Sequence, residues 1–66
     1  MKLYEELVKI REYLEAKIEK REEVFDSRSD KWQESEKAEH YEDETTAYRE
    51  LLDTIQDAMD YAEFLS

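Results

Sequence analysis

The chain contains neither glycine nor proline, and this absence restricts its fold more than any other feature of the sequence. Glycine supplies the positive φ angles of tight turns, and proline presets turn geometry and interrupts helices. A β-sheet protein needs a turn between successive strands, so a chain without these residues favours long helices. The sequence therefore predicts an all-α protein, and its 66 residues are expected to form one domain over residues 1–66.

The small size of the chain predicts that a single copy has a marginal core. A domain of about this length buries only about 60% of the surface that its unfolded chain exposes. The sequence has no cysteine, which excludes disulfides and thiolate-bound metals and leaves oligomerisation to enlarge the core. No apolar run reaches the length of a membrane span or of a signal-peptide core, so we expect a cytoplasmic protein without a membrane partner.

Apolar periodicity predicts a first helix over about residues 2–25. Leu3, Leu7, Ile10 and Leu14 follow the 4-3-4 spacing of one helical face, and Ile18 extends it. Lys17 and Arg21 occupy positions where a strict heptad would place apolar residues. Either the apolar seam shifts there, or the aliphatic stems of these two side chains cover it while their charges reach solvent.

The second helix is predicted over about residues 30–64, from a more regular pattern. A 3-4-3-4-3-4-3 spacing of seam residues continues without interruption over more than three heptads. These residues are Ala38, Tyr41, Thr45, Tyr48, Leu52, Ile55, Met59 and Ala62. The weakest part of this predicted helix is residues 35–37, where we expect a kink or fraying.

The polar residues 26–29 form the predicted turn between the two helices, because Asp and Ser bond nearby backbone groups and compete with helix. Ser29 is expected to cap the second helix, and Trp32 to close over Val24 and Phe25. Two helices joined by so short a turn are expected to fold back as an antiparallel hairpin.

A second copy of the chain is the expected partner of this hairpin. The predicted helices are about 35 Å and about 50 Å long, so residues 55–65 of the longer one would overhang and be only partly covered. Two hairpins would then form a four-helix bundle. The predicted interface residues are Leu7, Ile10, Leu14, Ile18, Tyr48, Leu52, Ile55 and Met59.

Negative charge is concentrated in the second half of the chain. Residues 38–66 carry nine acidic residues and one arginine, a net of −8, whereas residues 1–37 carry eleven acidic and nine basic residues, a net of −2. Such a surface disfavours nucleic acid and anionic membranes and favours basic partners. The predicted partner-binding acids are Glu50, Asp53, Asp57 and Asp60, on the helix face opposite the apolar seam. The simpler interpretation, which charge runs on helices usually favour, is that they only keep the helix solvated.

Residues with catalytic or metal-binding potential are few. Glu36, His40 and Glu44 share one helical face, but the Glu-x-x-His motif of helical di-iron sites is missing because position 37 is Lys. We find no cysteine nucleophile and no glycine-rich phosphate loop. The sequence predicts a protein that is not an enzyme and binds no cofactor, with a metal-binding bundle through His40 as the weakest alternative.

The segment that spans the predicted turn resembles a group of short, uncharacterised helical-hairpin proteins of phages and other bacterial mobile elements. The residues that carry the resemblance are Arg28, Ser29, Asp30, Lys31, Trp32, Gln33, Glu34, Ser35, Glu36 and Lys37, followed by Tyr41 and a Leu/Ile-rich heptad helix. In those proteins a glycine often follows the Ser-Glu-Lys stretch, where this chain has Ala38. The resemblance implies a short accessory protein of a prokaryotic cytoplasm, and it brings no activity or site residues.

Two functions follow from these observations as hypotheses. The first is a small accessory or regulatory module that acts through protein–protein interaction as a homodimer. The second is an inhibitor that mimics nucleic acid and binds a nucleic-acid-binding host protein through the acidic face of the second helix. Binding of the second kind would weaken steeply with salt.

Overall fold

The computed structural model describes residues 2–65 and is entirely helical apart from short connections. Helix α1 comprises Lys2–Ser27, helix α2 comprises Asp30–Gln33, and helix α3 comprises Glu36–Leu65. Within residues 2–65 there is no β-strand. The predicted all-α class is therefore confirmed.

The core lies where the apolar stripes of α1 and α3 face each other. Leu14 and Ile18 are buried on α1. On α3 the buried residues recur at seam positions of the heptad pattern: Ala38, Thr45, Met59 and Ala62. Helices α1 and α3 contact each other along their length. Because most of the buried α3 side chains are small, the contact encloses little apolar volume.

The second predicted helix is interrupted at residues 34–35, which separates α2 from α3. Ser35 causes the break through its hydroxyl, which donates to the Trp32 carbonyl and accepts from the backbone N–H of Ala38 at 3.3 Å. A serine that bonds local backbone groups in this way competes with helix and caps the one that follows. The expected weakness of residues 35–37 is thus a break that ends one helix and begins the next.

Ser29 begins α2 as predicted. Its backbone is extended, with φ −64° and ψ 156°, and its hydroxyl accepts a hydrogen bond from the backbone N–H of Trp32 at 3.2 Å. Asp30 lies in the first turn, where a negative charge interacts favourably with the helix dipole. The prediction that Ser29 is an N-cap is therefore confirmed.

The overhang of α3 beyond α1 is much smaller than predicted. With 26 residues in α1 and 30 in α3, the two helices are about 39 Å and about 45 Å long. Met59 and Ala62 are buried, so α1 covers the C-terminal part of the α3 seam. The apolar side chains that stay exposed near residue 65 do so because they lie on other faces of α3.

The described residues extend over 50 × 15 × 10 Å, the dimensions of two helices placed side by side. In residues 2–65, neither long helix contains a stretch apolar enough to cross a membrane.

Candidate protein-interaction surfaces

Arg21, near the C-terminal end of α1, joins α1 to the N-terminal part of α3. Its Nε donates to Thr45 Oγ1 at 2.8 Å, and one of its terminal nitrogens donates to the Tyr41 carbonyl at 2.9 Å. The guanidinium carbon lies 4.0 Å from the ring centroid of Tyr41 and 5.3 Å from that of Tyr48, within the range of cation–π attraction. The charge of Arg21 therefore points towards α3, and the interpretation that only its stem covers the seam is wrong.

An aromatic cluster packs where α2 and its flanking residues connect α1 to α3. The ring centroid of Trp32 lies 5.6 Å from that of Phe25 and 5.8 Å from that of Tyr41, both in edge-to-face arrangements. The Arg28 guanidinium lies 4.9 Å above the Trp32 ring, and Gln33 donates to the carbonyl oxygens of Phe25 and Arg28. The expected contact of Trp32 with Phe25 is confirmed, and the second contact, of Trp32 with Tyr41, connects α2 to α3.

The residues predicted to form an oligomer interface fall into two groups in the structure. Leu14, Ile18 and Met59 are buried within one chain, so their surfaces are already used by the contact of α1 with α3. The half-buried group consists of Leu7, Tyr48, Leu52 and Ile55. Ile10 is exposed. Of the predicted interface residues, Ile10 and the half-buried group therefore keep surface that the contact of α1 with α3 does not cover.

Ile10, Tyr13 and Leu51 lie on one side of the helix pair, which we call the lateral face. On the opposite side, Arg49 of α3 pairs with Glu22 of α1 at 2.6 Å. At about 100° per residue, Ile10 and Tyr13 are rotated away from Glu22 across the buried stripe of α1, and Leu51 is rotated away from Arg49 across that of α3. All three apolar side chains are exposed. The lateral face thus combines apolar residues from both long helices.

A shallow groove continues this lateral face along α3. It is lined by Glu44, Ala47, Tyr48 and Leu51. Of these, Tyr48 is among the residues predicted from the sequence for an oligomer interface, and it is half-buried. The groove shows how a seam residue can contribute both to the core and to an outer surface.

The predicted acidic residues of α3 are all at the surface. Glu50, Asp53, Asp57 and Asp60 are exposed and span about 15 Å along the helix axis. Within residues 2–65, none of these four carboxylates takes part in an ion pair. The nearest base in sequence, Arg49, is occupied by Glu22. The acidic face therefore presents uncompensated negative charge to solvent.

A second apolar surface lies near the C-terminal end of α3, and we call it the C-terminal patch. Asp57, Asp60, Tyr61, Phe64 and Leu65 line a shallow open depression there. The three apolar side chains are more exposed than any other large apolar ones among the described residues, at 73% for Tyr61, 85% for Phe64 and 69% for Leu65. Two of the four predicted acids thus border an apolar surface, a neighbourhood that the periodicity of the acids alone did not reveal.

His40 has one carboxylate neighbour. Its Nε2 lies 3.4 Å from Glu44 Oε1, and both side chains are largely exposed. In the part of the chain that the structure describes, no three His, Cys, Asp or Glu side chains come close enough together to hold a metal ion. Glu36 does not complete a ligand set with this pair.

The sequence matches no protein-family model, and comparison with curated proteins and with solved structures gave no significant match.

Proposed function

We propose that this chain is a small, non-enzymatic protein–protein interaction module that acts as a homo-oligomer. In this proposal α1 and α3 form an antiparallel helical hairpin, and two hairpins pair through their lateral faces into a four-helix bundle. The observation that carries it is the exposure of Ile10, Tyr13 and Leu51 on one side of the helix pair. We further propose a cytoplasmic accessory role of the kind found in phages and mobile elements, which rests on the resemblance of residues 28–41.

The small core of a single chain favours self-association. Two of the five buried hydrophobic residues are alanines, Ala38 and Ala62, which contribute little apolar area. Burial of apolar surface stabilises by about 25 cal/mol per Å², so covering three exposed large side chains on each copy adds stability that one chain lacks. The lateral face contains no residue of the acidic face, so two copies can approach there with less charge repulsion than through Asp53 or Asp57.

Sedimentation velocity across a range of protein concentrations tests this proposal. We expect a species of twice the 8.1 kDa chain mass at micromolar concentrations. The double substitution Ile10→Lys, Leu51→Lys should convert it to a monomer, since it places charges at the centre of the lateral face. Phe64→Lys is the matched control, because it makes the same kind of change at an exposed apolar residue outside that face. A wild-type chain that stays monomeric at high micromolar concentration would contradict self-association.

A second candidate function is a nucleic-acid mimic, supported by the four exposed and unpaired carboxylates of α3 in residues 2–65. Their spacing of three and four residues offers a row of negative charges to arginine and lysine side chains that otherwise bind phosphates. In this candidate Glu50, Asp53, Asp57 and Asp60 carry the affinity.

Affinity capture from bacterial lysate at low salt, with and without competitor DNA, distinguishes the second candidate from the first. A nucleic-acid-binding protein that competitor DNA and salt both release would support the mimic. The reversal Asp53→Lys, Asp57→Lys should then abolish capture. If capture survives that reversal but is lost in Trp32→Ala or Tyr61→Ala, recognition is not phosphate mimicry.

A further inference from the structure

We propose that the C-terminal patch is a docking site for a basic amphipathic helix of another protein. The inference deepens the proposed interaction function and names the chemistry of a partner, but it does not depend on self-association through the lateral face. Its components are the apolar side chains of Tyr61, Phe64 and Leu65 and the carboxylates of Asp57 and Asp60, which line one depression.

The apolar component is an uncovered surface on the side of α3 that faces away from α1. At about 100° per residue, Tyr61 and Phe64 lie roughly opposite the buried seam position Met59 when projected down the helix axis. Neither aromatic ring takes part in a ring–ring contact within residues 2–65. Aromatic side chains that are this exposed and adjacent are typical of the apolar centre of a protein interface.

The charge around this apolar surface specifies what kind of partner fits. Glu50 and Asp53 lie on the same helix face as Asp57 and Asp60, and residues 50–65 contain no lysine or arginine. The last turn of α3 contains no basic residue, so the negative end of the helix dipole adds to the carboxylate charge. A partner with lysine or arginine beside its apolar anchors would interact favourably with both the carboxylates and the negative end of the helix dipole.

The spacing of the patch fits a helix better than an extended segment. Asp57, Asp60, Tyr61, Phe64 and Leu65 stand at positions i, i+3, i+4, i+7 and i+8, which form one continuous helical face. Apolar anchors at three- and four-residue spacing on a partner helix match such a face, as in helix-in-groove recognition. The expected partner segment therefore alternates Leu- or Ile-type anchors with Lys or Arg at the same period.

A second copy of this chain is a poorer occupant of the patch. If two C-terminal patches met through a twofold axis, the acids of one copy would face the same acids of the other. A contact between this patch and the more basic first half of another copy would be head-to-tail, and such contacts propagate into open assemblies unless their rotation closes a ring. The charge pattern thus favours a different, basic protein.

Fluorescence anisotropy with model peptides tests the site. The probe is a fluorescein-labelled 14-residue Leu/Lys peptide with its leucines on one helical face, and the control peptide has the same composition in an order that creates no apolar face. We expect the amphipathic peptide to bind about tenfold more tightly than the control peptide, because only the former presents apolar anchors to the patch.

Paired substitutions then locate the binding. We expect Tyr61→Ala, Phe64→Ala to weaken the amphipathic peptide about tenfold or more, since loss of interface aromatics removes most of the anchoring contact. We expect the reversal Asp57→Lys, Asp60→Lys to weaken it at least as much. Glu39→Lys, Asp43→Lys is the matched control, because it makes the same change in net charge at exposed residues about 21 to 27 Å from Asp57 along α3. In about 0.1 M salt, where the Debye length is about 10 Å, this control should change the affinity less than about threefold.

Three outcomes would overturn the proposal. Equal binding of both peptides, with the alanine variant unaffected, would mean that charge alone attracts them. No binding of either peptide at low salt would remove the basic partner. Growth of the protein into larger species that Phe64→Ala abolishes would assign the patch to a second copy. Peptide binding by the monomeric Ile10→Lys, Leu51→Lys variant would support the docking site independently of the lateral face. A wild-type chain that is a monomer and binds the peptide would support the docking site and contradict the proposed self-association.

Discussion

The Nε of Arg21 on α1 donates a hydrogen bond to Thr45 Oγ1 on α3, across 24 positions of sequence. Thr45 is buried, and its hydroxyl in turn donates to the Tyr41 carbonyl at 3.1 Å. Arg21 also reaches that carbonyl directly. A polar pair inside a small helical core favours one register of the two helices, because any slip would leave a half-buried guanidinium without its acceptors.

We predict that Thr45→Val lowers the free energy of unfolding by about 1–2 kcal/mol, the cost of leaving a half-buried donor unsatisfied. Urea unfolding followed by circular dichroism at 222 nm measures the change. Thr54→Val is the control, since Thr54 makes the same type of bond, to the Glu50 carbonyl, on the exposed side of α3. In an Arg21→Met background Thr45→Val should cost less than about 0.5 kcal/mol, and an equal cost in both backgrounds would mean that the two residues are not coupled.

We predict that Ser35→Ala destabilises the chain by about 1 kcal/mol, because the hydroxyl that caps α3 at the backbone N–H of Ala38 is lost. Ser35→Asp should retain most of the stability, since an aspartate oxygen can accept the same hydrogen bond. Ser27→Ala is the matched control, as that exposed hydroxyl donates only to the Val24 carbonyl at the end of α1. Thermal unfolding of the three variants measures these changes in stability. If Ser27→Ala destabilises the chain as much as Ser35→Ala, Ser35 does not act as the cap of α3.

We predict that Asp57→Asn stabilises the chain by about 0.4–1 kcal/mol at low ionic strength, because Asp57 faces like charges at Asp53 and Asp60, three or four residues away. The gain should shrink towards zero as sodium chloride screens these exposed charges. Glu15→Gln should have the opposite sign, since Glu15 lies 3.4 Å from the Arg11 guanidinium in a favourable pair. Urea unfolding in low and in high salt measures both effects, and a gain that is independent of salt would argue against charge repulsion as its cause.

We predict that Trp32 reports on the whole chain and not on the turn alone. It is the single tryptophan in the sequence and packs against Phe25 and Tyr41, so separation of α1 from α3 exposes its ring. Its fluorescence change in urea should therefore coincide with the loss of helical dichroism, as expected for a two-state transition. A fluorescence midpoint at a distinctly lower urea concentration would mean that the turn opens before the helices separate.

What the sequence determined by itself was local. The helical class follows from the missing glycine and proline and from the heptad spacing, and the Ser29 cap follows from side-chain chemistry at the turn, because all of these depend on residues within a few positions of one another. The concentration of acids after residue 38 also lies in the sequence, and the structure places the four predicted acids at the surface.

Tertiary structure decided what each seam residue does. Periodicity grouped Leu14, Ile18 and Met59 with Ile10 as one predicted interface, yet burial depends on the rotation of two helices about each other, and only the first three are covered. The inward direction of Arg21 depends on Thr45 and Tyr41 standing opposite it. Tyr61 and Phe64 are exposed beside Asp57 and Asp60 because α1 packs against the other face of α3. The periodicity of one helix does not predict this, since it specifies the angles between residues of that helix and not the direction of the neighbouring helix.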